Sequence, residues 1–335
     1  MMLHPSPEAV WKMTDKELLT VLYNNALSVQ RRTLHFYAPS FVNYRSSLFD
    51  RQNQDFPTIS ITAGGCALKC KHCGGRVLNT MHPATSPGKL VELCCRLKQQ
   101  GAKGCLISGG CAADGSVPVT DFIDALSKIK KELDMTVLVH TGIIDSYNAK
   151  SLKNAGVDTA LIDVIGSDKT IKEIYNLNVS VADYERSLKS LNDAAISFVP
   201  HVIVGLQYGK LHGEFHAIEM IAKFHPAALV IIAFMPIHKT EMENVKPPKP
   251  LDIARTALIG RLTLPETPLV LGCMRPQGKH RSDTDVLAIK AGVDAIAFPT
   301  QEAIDYAEQN GFNIKTSSLC CSQIYDHINA ERNSG

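Results

Sequence analysis

The chain has 335 residues, of which 45% are hydrophobic and 20% charged, and a formal net charge of +2 at pH 7. That balance describes a folded chain with a large core, and it excludes a disordered protein and a general nucleic-acid binder, which would need a markedly basic stripe. Ten cysteines in a chain of this size point to metal or redox chemistry rather than to a disulfide scaffold.

The opening Met1-Met2-Leu3-His4-Pro5 has neither the charged nor the apolar region of a secretory signal. The longest apolar run, Pro226 to Ile237, is too short to span a bilayer. The expectation is a cytoplasmic protein without a membrane or nucleic-acid partner. Thr14-Asp15-Lys16-Glu17 before Leu18-Leu19 has the pattern of a capping box, so residues 1–50 are expected to form a helical accessory segment.

A β-branched run, Thr58–Thr62, feeds a loop containing Cys66, Cys70 and Cys73, with Gly64-Gly65 before it and Gly74-Gly75 after it. The spacing is C-x3-C-x2-C. Three thiolates so close on one loop converge on one iron–sulfur cube, and they leave one iron of a [4Fe–4S] cluster free to bind a substrate. A zinc site using His72, or three unrelated thiols, are the alternatives.

Beyond the loop, short β-rich runs alternate with helical stretches. The strands are Thr58–Thr62, Gly104–Ser108, Thr136–His140, Asp158–Val164, Ile196–Val204, Leu229–Phe234, Leu269–Gly272 and Asp294–Phe298. Eight βα units predict an α/β fold, a (β/α)8 TIM-type barrel over residues 51–311. Residues 312–335 form a tail carrying the pair Cys320-Cys321, expected to fold over the active-site face, with Asn329–Gly335 frayed.

In such barrels the chemistry lies at the C-terminal ends of the strands. There the sequence places Ser108-Gly109-Gly110-Cys111, His140-Thr141-Gly142, Asp163, His201 and Gly272-Cys273-Met274-Arg275. Cys94, Cys95 and Cys105 fall inside a helix or early in a strand and read as buried small hydrophobes. Cys111, Cys273, Cys320 and Cys321 are the candidates for a second cluster, with one of the adjacent pair spare because neighbouring side chains in extended chain diverge. Arg275 suits a carboxylate or a cluster, and Lys279, His280 and Arg281 form a basic loop able to receive an acidic protein.

Taken together these strings resemble the radical S-adenosylmethionine (SAM) superfamily, and within it the biotin-synthase-like group that contains the two-component, archaeal-type lipoyl synthases. The similarity runs from Phe41-Val42-Asn43-Tyr44 to Cys320-Cys321. It rests on Leu106-Ile107-Ser108-Gly109-Gly110, His140-Thr141-Gly142, Ala160 to Gly166, Pro200 to Gly205, Leu271 to Pro276 and the terminal cysteine pair.

The resemblance implies a [4Fe–4S] cluster on Cys66, Cys70 and Cys73, with SAM chelating the open iron. Ser108, Gly109 and Gly110 would hold the amino group of SAM, Asp163 its ribose hydroxyls, and His140 and His201 would touch SAM or substrate. It further implies a 5′-deoxyadenosyl radical that takes hydrogen from an octanoyl chain on a lipoyl-carrier protein, and a sacrificial auxiliary [4Fe–4S] cluster that gives up sulfide. The implied partners are the octanoylated carrier, a paralogous radical SAM subunit, and a ferredoxin or flavodoxin.

Two departures stand against the familiar auxiliary sites. The N-terminal cysteine triplet of single-chain lipoyl synthases is missing, and His140 and His201 occupy two positions where biotin synthase has cysteines. The alternatives are a single-cluster radical SAM enzyme acting on a small molecule and a non-catalytic iron–sulfur partner subunit.

Overall fold

The computed structural model describes residues 5–24, 33–40, 44–49 and 55–334; Phe41-Val42-Asn43 of the similarity strings lie outside them. The chain opens with helices α1 (Pro7–Lys12) and α2 (Asp15–Asn24). The expected capping box starts α2: Glu17 N–H donates to Thr14 Oγ1, and Thr14 N–H donates to the Glu17 carboxylate. Strand β1 (Thr33–Tyr37) follows, so this segment also contributes to the sheet.

The eight expected strands are all present, as β2 (Thr58–Ser60), β4 (Gly104–Ser108), β5 (Thr136–His140), β6 (Thr159–Asp163), β7 (Phe198–Val204), β8 (Leu229–Ala233), β9 (Leu269–Leu271) and β10 (Ala295–Ala297). A two-residue β3 (His82–Pro83) and a terminal β11 (Asn313–Ser317) are additional. All pairings are parallel, in the order β11-β1-β10-β9-β8-β7-β6-β5-β4-β2-β3.

Parallel strands joined by helices are buried on both faces, which is why runs such as Leu229–Ala233 show no polar alternation. The crossovers are α3 (Pro87–Gln99), α4 (Ile123–Leu133), α5 (Ser146–Asn154), α6 (Asp168–Tyr175), α7 (Val181–Asp193), α8 (Glu214–Ile221), α9 (Pro250–Thr263), α10 (Lys279–Lys290) and α11 (Gln301–Gln309). Gly101, Gly156 and Gly292 take positive φ just past their helices, as left-handed caps require.

The sheet curls into a half-barrel. Leu138, Leu161, Val199, Val230 and Val270, from successive strands, form one buried cluster with Tyr37 of β1 and with Cys320, Cys321 and Ile324 of the tail. The tail therefore enters the lumen. Its last helix, α12 (Ile324–Ser334), starts there: Tyr325 and Thr159 hydroxyls lie 2.7 Å apart, and Tyr37 Oη meets His327 Nδ1 at 2.6 Å, while Asn329 and Ala330 are exposed.

Candidate active site

Two loops at the C-terminal ends of neighbouring strands are zipped together by bonds from backbone N–H groups, one of them to a side chain. Ile61 N–H donates to Ser108 O, Ala67 N–H to Cys111 O, and Gly110 N–H to Thr62 Oγ1. The contact is so close that a Cβ on Gly110 would lie 2.0 Å from Gly65 O and 2.6 Å from Cys66 Cβ. Only glycine fits there. The far side of the cysteine loop is pinned by α6, where Lys71 N–H donates to Ile174 O and Asn176 Nδ2 to Leu68 O.

The three cysteines line a cavity of about 350 Å³ at the mouth of the half-barrel. So do Ser108 at the end of β4 with Gly109, Gly110 and Cys111 after it, His140 and Asp163 at the ends of β5 and β6, and His201 in the middle of β7. Cys273 after β9 and the tail residues Cys320 and Cys321 complete its wall. A wider surface groove of about 1230 Å³ beside α2, α9 and α10 contains no thiol and lies away from this constellation.

The thiols form two groups. Cys73 is held down at about 4 by its neighbour Cys70, which together with His72 outweighs the opposing effect of burial. Cys70, whose Sγ–H donates to Tyr175 O at 3.7 Å, is pushed up by its neighbour Cys73 and by burial. Cys111 feels the charge of Cys66 and is raised to about 12, chiefly by burial. Across the cavity Cys320 is lowered to about 7, first by the hydrogen bond from Cys321, while burial raises Cys273 to about 11. Cys273 senses Cys320, and Cys111 senses Cys66 and Cys73. All four cysteines expected of an auxiliary centre line this one cavity.

Burial pushes the Asp163 carboxyl up, but the imidazoles of His140 and His201 more than offset it and the net shift is downward. Burial depresses His201 to about 4, so it is neutral.

Arg275 takes a structural place. Its side chain is 0% exposed, grips Asp285 with Nε and Nη2, and donates to Gly272 O, Ala297 O and Phe298 O. A buried guanidinium is tolerated only when its donors are met, and this one has no donor left for a ligand. The expected basic loop is likewise drawn inward: His280 Nε2 meets Pro248 O, Arg281 donates to Cys273 O, and only Lys279 stays at the surface, paired with Asp283.

The donor set fits the implied cluster and SAM. Three thiols converge on the cavity, one of them in thiolate form, and metal binding to the others would displace protons. Among the described residues Tyr175 Oη and His72 Nδ1 are buried without a hydrogen-bonding partner, and both belong to residues lining the same cavity, as groups that meet a bound molecule would. Tyr175 is absent from the sequence reading because α6, which carries it, is a short second helix between β6 and β7. Its signal was the Ser167 cap, whose Oγ accepts from Thr170 N.

The chain matches the family model described as "Radical SAM superfamily" over residues 60–210. Biotin synthase of Clostridium acetobutylicum is 24% identical over 267 residues, covering 76% of this chain and 77% of that protein. Biotin synthase of Schizosaccharomyces pombe is 26% identical over 301 residues, 86% of this chain and 77% of that one. Among solved structures, HydG, a maturase of the [FeFe]-hydrogenase, superposes with a TM-score of 0.65 at 14% identity, over 96% of this chain and 74% of that chain. Methylornithine synthase (PylB) does so at 0.57 and 13%, over 91% and 96%. These two establish the fold. The family model thus sits on the cysteine loop and the strands that follow it, and the chain is similar to biotin synthases along most of its length.

Proposed function

We propose that this radical SAM enzyme inserts sulfur into a protein-bound octanoyl chain, as one subunit of a two-component lipoyl synthase. The observation that carries the reading is the second group of thiols, Cys273, Cys320 and Cys321, on the same cavity as the triplet. Cys66, Cys70 and Cys73 would hold the [4Fe–4S] cluster, and Cys273 with one or both tail cysteines an auxiliary iron–sulfur cluster as sulfur source. When bound, the first cluster with SAM on its open iron supplies the one-electron chemistry that activates an unreactive C–H bond.

The chain's own residues bind, orient and exclude water. The Ser108–Gly110 turn offers backbone to the amino group of SAM, and Gly110 lets that turn lie against the cysteine loop. Asp163 offers a carboxylate to hydroxyl groups. Ile203, Val230, Ile232 and Phe234 give the cavity an apolar wall suited to an alkyl chain. The octanoylated carrier, a paralogous subunit and a ferredoxin or flavodoxin are the partners this reading requires, in a reducing cytoplasmic compartment.

The test is the iron and sulfide content, with Mössbauer spectra, of anaerobically reconstituted wild type and of the Cys66→Ala/Cys70→Ala/Cys73→Ala variant. Two clusters falling to one supports sulfur insertion and leads to an assay on octanoylated carrier with the partner subunit. One falling to none rejects it. A second reading, a single-cluster enzyme of biotin-synthase type acting on a small molecule, is favoured by the modest cavity of about 350 Å³ and predicts that second outcome.

A further inference from the structure

We infer that helix α12 is a pH-sensitive latch on the lumen, docked while His35 and His327 are neutral and released when acid charges both. The two rings meet at a junction between the first strand and the last helix, since His35 and Tyr37 belong to β1 and His327 to α12. Tyr37 and His327 stack with centroids 5.6 Å apart and 5° between their planes, and His35 lies over His327 at 6.3 Å and 19°. Tyr37 Oη and His327 Nδ1 are 2.6 Å apart. The inference stands whether or not sulfur is inserted.

Two neutral imidazoles stack without penalty, but two imidazolium rings at this separation repel. Charging His327 also removes an acceptor: the protonated ring has two N–H donors and nothing to receive the hydroxyl proton of Tyr37, which is 0% exposed. Glu331 of α12 lies 3.6 Å from His35 Nε2 and 2.7 Å from Lys315 Nζ of β11, so one carboxylate is shared between them. Asp294, just before β10, also favours a charged His35, whereas Lys315 opposes it. Burial outweighs the two carboxylates and lowers the pKa of His35; it lowers that of His327 too, against Glu331.

A histidine whose pKa falls on docking holds its proton better when α12 is free. Docking is therefore strongest above the free-imidazole pKa of about 6.5 and weakens as pH falls below it. The helix is anchored at its start, where Ile324 is fully buried, and leaves the core by Asn329 and Ala330, which are exposed. The latch lies at the opposite end of the half-barrel from the cysteine loop. Tyr325 meets Thr159, the first residue of β6, whereas the loop follows the end of β2. Release opens the floor of the lumen, where Leu161, Val199 and Val230 share a cluster with Ile324, and not its mouth.

The test is hydrogen exchange, read by mass spectrometry on the anaerobically reconstituted full chain from about pH 8 to about pH 5 and corrected for the intrinsic exchange rate. Protection of Ile324–Ser334 should fall at least about fivefold, the low end for linked equilibria, while peptides of β5 to β7 keep theirs. His35→Gln and His327→Gln should each flatten that dependence, and Glu331→Gln, which removes a carboxylate favouring the charged rings, should deepen it. A substitution that merely loosens packing raises exchange equally at every pH, so the slope and not the level is the readout. If one histidine variant leaves the helix unprotected throughout, the other and Glu331→Gln decide. Tail protection that does not change with pH, an equal loss in β5 to β7, or a slope unaltered in the folded variants overturns the latch.

Discussion

At the scale of single residues, backbone clearance decides where the cysteine loop can sit. Gly110 is held against Gly65 and Cys66, so Gly110→Ala must push the two loops apart, and the atoms it meets are backbone and Cβ rather than a flexible side-chain tip. Reconstituted Gly110→Ala should retain less than half the wild-type iron, read by colorimetric assay. Gly88→Ala, with nothing within 4 Å of the added methyl, should retain all of it; equal loss in both would remove clearance as the cause. Arg275 answers a different question. Its pairing with Asp285 is fully buried, and removing one partner of such a pair costs about 3–5 kcal/mol. Arg275→Ala should therefore lower the urea-denaturation stability by that order, and full stability would return the residue to the candidates for a ligand. The triplet was legible from spacing alone. The role of Arg275 was not, because Asp285 lies a turn into α10 and nothing in the local sequence announces that the two will meet.

Among the elements, the strands that form the middle of the sheet were legible and the peripheral ones were not. A central parallel strand such as Leu229–Ala233 is apolar on both faces, whereas the edge strand Asn313–Ser317 is polar and half exposed, so composition gives no strand signal there. β1 depends on non-local pairing with β10 and β11, which no local pattern encodes.

The turn from β7 into α8 carries a pH-dependent element. Glu214, the first residue of α8, accepts from Gly205 N–H and His212 N–H, yet burial outweighs those bonds and raises its carboxyl to about 7 from the usual 4.5. Between those values the folded chain keeps a proton that the unfolded chain has released, so stability falls as pH rises through the window. The decline should be on the order of 1–3 kcal/mol between pH 5 and 8, and Glu214→Gln should flatten it. Urea midpoints across that range would show this, and a midpoint rising with pH would mean that the two amide donors dominate.

For the molecule as a whole, the decisive feature is that the segment after the last strand returns the chain to the inside of its own sheet. Among the described residues no pairing joins β3 to β11, so the half-barrel is filled by the tail and not sealed by hydrogen bonds. Ile324 is fully buried in the lumen cluster with Cys320 and Cys321 beside it. One segment thus serves two ends: its apolar side chains complete the core, and its thiols face the cavity. The two contributions are separable. Ile324→Ala should cost about 2–5 kcal/mol, seen in chemical denaturation, because it leaves a cavity in the packed lumen cluster, yet it leaves both thiols in place. Cys320→Ala with Cys321→Ala removes little volume and should leave stability within about 1–2 kcal/mol of wild type, while abolishing whatever iron remains once the Cys66, Cys70 and Cys73 ligands are also replaced. If the tail cysteines serve only to pack the lumen, that iron will persist in the combined variant, and the tail will be a plug without a part in the chemistry.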